Sequence, residues 1–203
     1  MTTVLTKQSQ TQAQAQAVNQ PVPTVVAIHR LVWISILAAL TAVGAIISIP
    51  ISPFSPVPIT LQTMFVLLTG LILGSKRGVY AILIYILAGC VGLPVFAGGK
   101  AGLAVLIGPT GGFLLGFIPS VMFCGLASKN GQNWSLPLLI AICIVATAIT
   151  LTFGTIQLSL VLDISIYKAL LAGTVPFLPG EFLKIVSAAS MFKFLAARNL
   201  LPA

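Results

Sequence analysis

Long apolar runs alternate along this chain with short polar or glycine-rich breaks. The runs cover about residues 30–49, 59–74, 79–93, 109–127, 136–158 and 179–197. A helix that crosses a bilayer needs about 20 apolar residues. The pattern therefore predicts an all-α integral membrane bundle of about six transmembrane helices. The second and third runs are short, and one helix interrupted at Ser75-Lys76-Arg77-Gly78 is a conceivable alternative. A charged tetrad in mid-bilayer is expensive, so two spans joined by a tight polar turn are the cheaper reading. Residues 1–24 stand apart, being rich in Gln, Ala and Thr and free of aromatics. Such a segment is too polar to bury a core, which predicts a disordered tail ahead of a membrane domain at 25–203. The tail also lacks the apolar stretch of a signal peptide.

Composition sharpens this picture. Only 6% of residues are charged and 58% are hydrophobic, with a mean hydropathy of +1.13. Soluble domains carry roughly 25% charged residues, so the bilayer is the solvent here. The net charge is +8, but the basic residues are scattered between apolar runs. Nucleic-acid binding wants them gathered in a stripe. In a six-span arrangement Arg30, Lys76, Arg77, Lys129, Lys193 and Arg198 fall on one side, and Lys100, Lys168 and Lys184 on the other. Basic loops stay inside, which places both termini in the cytoplasm. The stretches 50–58, 97–108 and 159–178 then face outward.

In that orientation helices two, four and six begin on the outer side. Each opens with a proline signal: PVPITLQT at 56–63, GPTGG at 108–112 and LPGEFLK at 178–184. Proline alone marks only a helix start. Three N-termini together, each with unpaired N–H groups and a partial positive charge, would suit a polar or anionic ligand.

The chain has two carboxylates, Asp163 and Glu181. Glu181 lies three residues before Lys184, so the two share a helix face. Ionisable groups at membrane depth are rare and usually functional. The carboxylate accepts hydrogen bonds and the ammonium donates them, so the pair could grip a ligand that presents both N–H and C=O groups. A plain ion pair at a helix start is the competing account. The glycine-rich loop at 92–112 contains Gly98 and Gly99, which permit close backbone approach to a ligand, and Lys100, which suits an anionic tail. A flexible connector explains the loop equally well. It is not a phosphate-binding loop, because Pro94 occupies the first glycine position and Ala101 follows Gly99-Lys100.

Thr60, Gln62 and Tyr85 are polar groups that need partners if buried, from the protein or from a ligand. In the first helix, Ala38 with Ala42, or Ala39 with Val43, forms a small-residue face suited to close packing, within the bundle or against another protein. Cys90, Cys124 and Cys143 stand singly in apolar runs and read as packing residues. His29 sits at the membrane edge beside Arg30 with no catalytic companion. No Ser–His set, metal-ligand spacing or paired-carboxylate set points to an enzyme.

Three stretches carry a family resemblance: PVPITLQTMFVLLTGLILG, YILAGCVGLPVFAGGKAGLAVLIGPTGGFLLGF and PFLPGEFLKI. They closely resemble the biotin-transporter BioY family, the substrate-capture subunits of energy-coupling factor transporters. The resemblance runs from about Arg30 to the C-terminus. It implies a bundle in the cytoplasmic membrane that captures biotin from outside, with biotin as cargo and no cofactor. The implied partners are a transmembrane coupling protein and a pair of ATPase subunits. In the family a Pro-Gly-acid-x-x-Lys pattern contacts the fused ring of biotin, and Pro179, Gly180, Glu181 and Lys184 match it. The family more often has Asp at the acidic position, one methylene shorter. The family's Ala-x-x-x-Ala face toward the coupling protein is matched by Ala38 and Ala42.

On that resemblance, Glu181 would accept the ureido N–H groups and Lys184 would serve the ureido carbonyl. Phe96, Leu93, Tyr85 and Phe177 would enclose the apolar parts. Lys100, or the helix start at Thr110 and Gly111, would take the carboxylate tail. Two other readings share the architecture: a capture subunit for another vitamin, and a self-sufficient secondary carrier.

Overall fold

The computed structural model describes residues 23–51, 53, 55–126 and 134–201. The predicted polar tail up to residue 22 and the Ser128–Gly131 break lie outside the described residues. The chain falls into two compact units, Met1–Val32 and Trp33–Ala203. The second unit contains the helical bundle. Its first helix, α1 (Pro23–Ile46), begins in the first unit.

The main helices after α1 are α2 (Gln62–Cys90), α4 (Gly111–Leu126), α5 (Leu136–Leu162) and α7 (Leu178–Ala197). Proline lies in the first turn of α5 and of α7, where a missing N–H costs nothing. Two shorter helices, α3 (Ala104–Ile107) and α6 (Ile166–Gly173), interrupt the stretches expected to be loops. The fold is not purely helical. Strands β1 (Ser48–Ile49) and β2 (Ile59–Thr60) pair antiparallel, Ser48 opposite Thr60. The first helix accordingly stops at Ile46, short of the expected residue 49.

Among the described residues, four helical stretches are long and apolar enough to cross a membrane, and α4 is a shorter apolar helix. One of the four is α2, whose helical run is broken at Gly74 (φ 76°, ψ 176°), a conformation open essentially only to glycine. The chain reverses there. Gln62 Nε2 lies 2.6 Å from Tyr85 Oη, although 23 residues of straight helix would separate them by about 35 Å. The two arms of α2 are thus antiparallel, as the cost of a charged tetrad in mid-bilayer suggests. The reversal itself takes one residue, not a loop, and Lys76 and Arg77 already belong to the second arm. The corner packs tightly on α4. A Cβ on Gly125 would lie 2.2 Å from the Ser75 nitrogen, and Ser75 Oγ donates to the Met122 carbonyl at 2.7 Å.

The bundle has two chemically different ends. At one, the α2 corner meets the end of α4, and Lys193 Nζ donates to the Trp134 carbonyl just ahead of α5. At the other, the start of α2 meets α1 through Leu61 N–H on the Gly44 carbonyl, and Glu181 near the start of α7 bonds Thr63. Asp163 closes α5 with a left-handed backbone (φ 51°), so the second carboxylate serves as a helix terminator. A core of Leu67, Leu71, Ile82, Val121, Leu139 and Phe192 fills the middle.

Candidate functional site

A cavity opens at the Glu181 end, between the start of α2, α4, α5 and the start of α7. It holds about 580 Å³ of space free of protein atoms, part of it open at the mouth. The lining is mostly apolar, with Phe96, Phe113, Phe117 and Phe177 supplying the broad surfaces. Thr60, Gln62, Thr63, Thr110, Thr150 and Glu181 add a few polar groups, the balance expected of a small-molecule site.

Glu181 is the chemical centre of this wall. It lies in the first turn of α7 and is 5% exposed. One oxygen, Oε1, accepts from Lys184 Nζ at 2.6 Å and from Thr63 Oγ1 at 3.0 Å. The other, Oε2, is buried and has no hydrogen-bond partner among the described residues. A buried carboxylate oxygen without a donor is costly and asks for an N–H or O–H from outside the protein.

Lys184 is also buried, at 6% exposure, and it stands behind Glu181 and not among the residues that line the cavity. Its part is to hold the carboxylate and offset its charge. Its ammonium is engaged with Glu181 across one turn of the helix.

The three polar residues singled out around α2 do come together. Thr60 Oγ1 donates to Gln62 Oε1 at 3.1 Å, and Gln62 Nε2 donates to Tyr85 Oη. Tyr85 does not line the cavity. It fixes Gln62 and presents its ring edge-on to Phe96, with centroids 5.7 Å apart. Phe96 is completely buried, its ring seated over Gly89.

The glycine loop borders the cavity and the space beside it. Lys100 and Gly98 line a wider, more open space of about 1190 Å³ outside the cavity, and Pro58 and Ala97 border both. Lys100 is therefore on the wall of that open space and not on the wall of the cavity. The Gly99 N–H is engaged within its own turn, on the Phe96 carbonyl at 2.9 Å, so it is not offered to a ligand. Leu93 is exposed and lies off the cavity wall, whereas Thr110 and Phe177 are on it.

In α1 the core face runs through Ile34, Leu37, Ala38 and Thr41. Ala38 is 5% exposed and Ala42 is partly buried against the same core, the packing within the bundle that their spacing allows. The small residues that face outward are Ser35 and Ala39, with Val43 one turn on.

Sequence reasoning missed Thr63, Thr150, Phe113 and Phe117. Thr63 was within reach, since it adjoins Gln62 in the same polar helix start. The two phenylalanines and Thr150 are indistinguishable in sequence from residues of ordinary spans.

Comparison with known proteins places this geometry in context. A family model described as the BioY family matches residues 11–201. The biotin transporter BioY of Thermotoga maritima is 40% identical over 161 residues, covering 79% of this chain and 92% of that protein. The biotin transporter BioY of Rhizobium etli is 35% identical over 174 residues, covering 82% and 92%. The crystal structure of the S-component for biotin from an ECF-type ABC transporter superposes with a TM-score of 0.81. It shares 23% identity over 91% of this chain and all of that one, a likeness of fold.

Proposed function

The chain belongs to the BioY family, and from that premise we propose that its cavity captures biotin for uptake, as the substrate-binding subunit of an energy-coupling factor transporter. The family is one of transporters, not of enzymes. The chain is accordingly a multi-pass membrane protein.

One observation carries the reading: the buried, unpartnered Oε2 of Glu181 in a mostly apolar wall. A ureido ring offers two N–H donors and one carbonyl on an apolar bicycle. One N–H meets Oε2, a charge-assisted bond of the stronger kind. The carboxamide of Gln62, held by Thr60 and Tyr85, faces the same space and accepts the other. Phe96, Phe113 and Phe177 enclose the thiophane ring. The carboxylate tail points to the mouth, toward Lys100 and the α4 N-terminus near Thr110. Lys184 acts through Glu181.

The proposed topology has six crossings of the cytoplasmic membrane: α1, the two arms of α2, α4, α5 and α7. Lys76, Arg77, Lys193 and Arg198 gather at the end away from the cavity, which supports a cytoplasmic corner and an outward-facing site. The chain has no nucleotide-hydrolysis motif, so ATPase subunits and a membrane coupling protein supply the driving force. The face that α1 turns outward to such a partner carries Ser35, Ala39 and Val43.

Calorimetric titration of the purified chain with biotin, with no partner present, tests the reading. Saturable binding with thermal stabilisation is the expected result. No heat and no stabilisation would overturn it.

A further inference from the structure

The cavity wall contributed by Val105 and Thr110 belongs to a short, irregular segment between two glycines, Gly102 (φ 91°) and Gly111. A four-residue helix cannot hold its own position, because its last carbonyls lack intrahelical partners. The Gly108 carbonyl accepts from the Gly111 N–H at 3.1 Å, and one distant side chain adds to this. Gln157, on α5, donates to the Leu106 carbonyl at 2.7 Å and to the Gly108 carbonyl at 2.8 Å, so a single carboxamide nitrogen ties both sides of the α3 terminus.

The surroundings are shaped to this contact. A Cβ on Gly111 would lie 1.8 Å from the Leu106 oxygen and 2.6 Å from Gln157 Nε2. A Cβ on Gly112 would lie 2.4 Å from the Phe153 oxygen and 2.6 Å from Gln157 Cβ. The paired glycines at 111–112 thus leave the room that Gln157 and the carbonyls it binds occupy. Gln157 itself does not line the cavity. It sits in an apolar lateral groove with Leu106, Ile107, Leu115, Phe153 and Leu160, among which Ile107 and Leu160 are each 75% exposed. In so apolar a groove, little water is held to replace a broken bond to these carbonyls.

We propose that Gln157 is a positioning residue that pins the Val105–Thr110 wall against the bound ligand and thereby sets how long the ligand is retained. The proposal rests on the biotin-capture reading for its ligand, though the latch itself is a property of the ligand-free protein.

The test compares wild type, Gln157→Met and Gln157→Glu in the purified full chain. Methionine keeps the length and the apolar fit, and glutamate keeps the shape, but neither carries the amide donors. Two measurements are made: the dissociation rate of labelled biotin, and amide hydrogen exchange of the ligand-free protein. Both variants are expected to release biotin about 10- to 100-fold faster, the loss of two hydrogen bonds. Exchange at the Gly108 and Gly111 amides should rise by a similar factor while α7 is unchanged.

Wild-type exchange and wild-type release in both variants would overturn the proposal. If wild type binds no biotin, the capture reading fails, and the exchange comparison still decides the latch.

Discussion

Replacing Glu181 by Gln turns the oxygen on which the ligand chemistry depends into a donor, and also removes the charge that Lys184 balances. Alanine is the blunter choice. It would leave the Lys184 ammonium buried without its partner, at a cost of about 3–5 kcal/mol to the fold. Glutamine keeps a carbonyl oxygen where Oε1 now accepts from Thr63 at 3.0 Å and Lys184 at 2.6 Å. It puts an NH₂ group where Oε2 now stands unpartnered. A donor then faces the ureido N–H. A hydrogen bond to a charged group contributes about 1.5–3 kcal/mol. With 1.4 kcal/mol per tenfold, the affinity for biotin should fall by about 10- to 150-fold. Calorimetry gives the affinity, and a thermal melt without ligand shows that the bundle survives. An unchanged affinity together with an unchanged melt would refute the reasoning, because it would mean that Oε2 meets no ligand donor.

Other perturbations probe the site's supports. Tyr85→Phe removes the hydroxyl that accepts from Gln62 at 2.6 Å. It should weaken biotin by roughly fivefold, about 1 kcal/mol, in the same titration. Gly89→Ala places a Cβ within 2.1 Å of the Phe96 ring. The ring must move into the cavity or the helix must shift, an overpacking cost of about 1–3 kcal/mol. Biotin affinity should fall, and the added substitution Phe96→Leu should restore part of it. Lys100→Ala should weaken biotin more than its alcohol analogue biotinol. The difference should shrink at high salt, since Lys100 is exposed at the approach to the cavity. Gly74→Ala forces a side chain into φ 76°, ψ 176° and should cost about 1–3 kcal/mol of stability in a denaturation assay, with little effect on affinity.

Much of the architecture was legible because the solvent dictates it. A bilayer demands long apolar runs, so the positions of α4, α5 and α7 follow from hydropathy. The same cost argument separated the two arms of α2. It did not reveal that one glycine makes the whole turn, because that depends on a backbone angle and not on polarity. Glu181 and Gln62 stand out as polar residues in apolar surroundings, Phe96 and Thr110 follow from the family resemblance, and the fold brings all four to one wall. Nothing in the loop's residues encodes the tight turn from Phe96 to Lys100 that keeps Lys100 off the cavity wall. Small residues lie on both sides of α1, and spacing alone does not choose the buried one. Gln157 escaped notice because its partners are backbone carbonyls, which leave no trace in a pattern of side chains.

The most direct measurement is a structure of the chain with biotin bound. The account predicts the fused ring deep in the cavity, with a ureido nitrogen about 2.7–3.2 Å from Glu181 Oε2, and the carboxylate at the mouth on the Lys100 side. A ligand bound the other way round, with its carboxylate buried and its ureido group outside, would contradict it. So would a ligand seated elsewhere with Glu181 Oε2 still unpartnered.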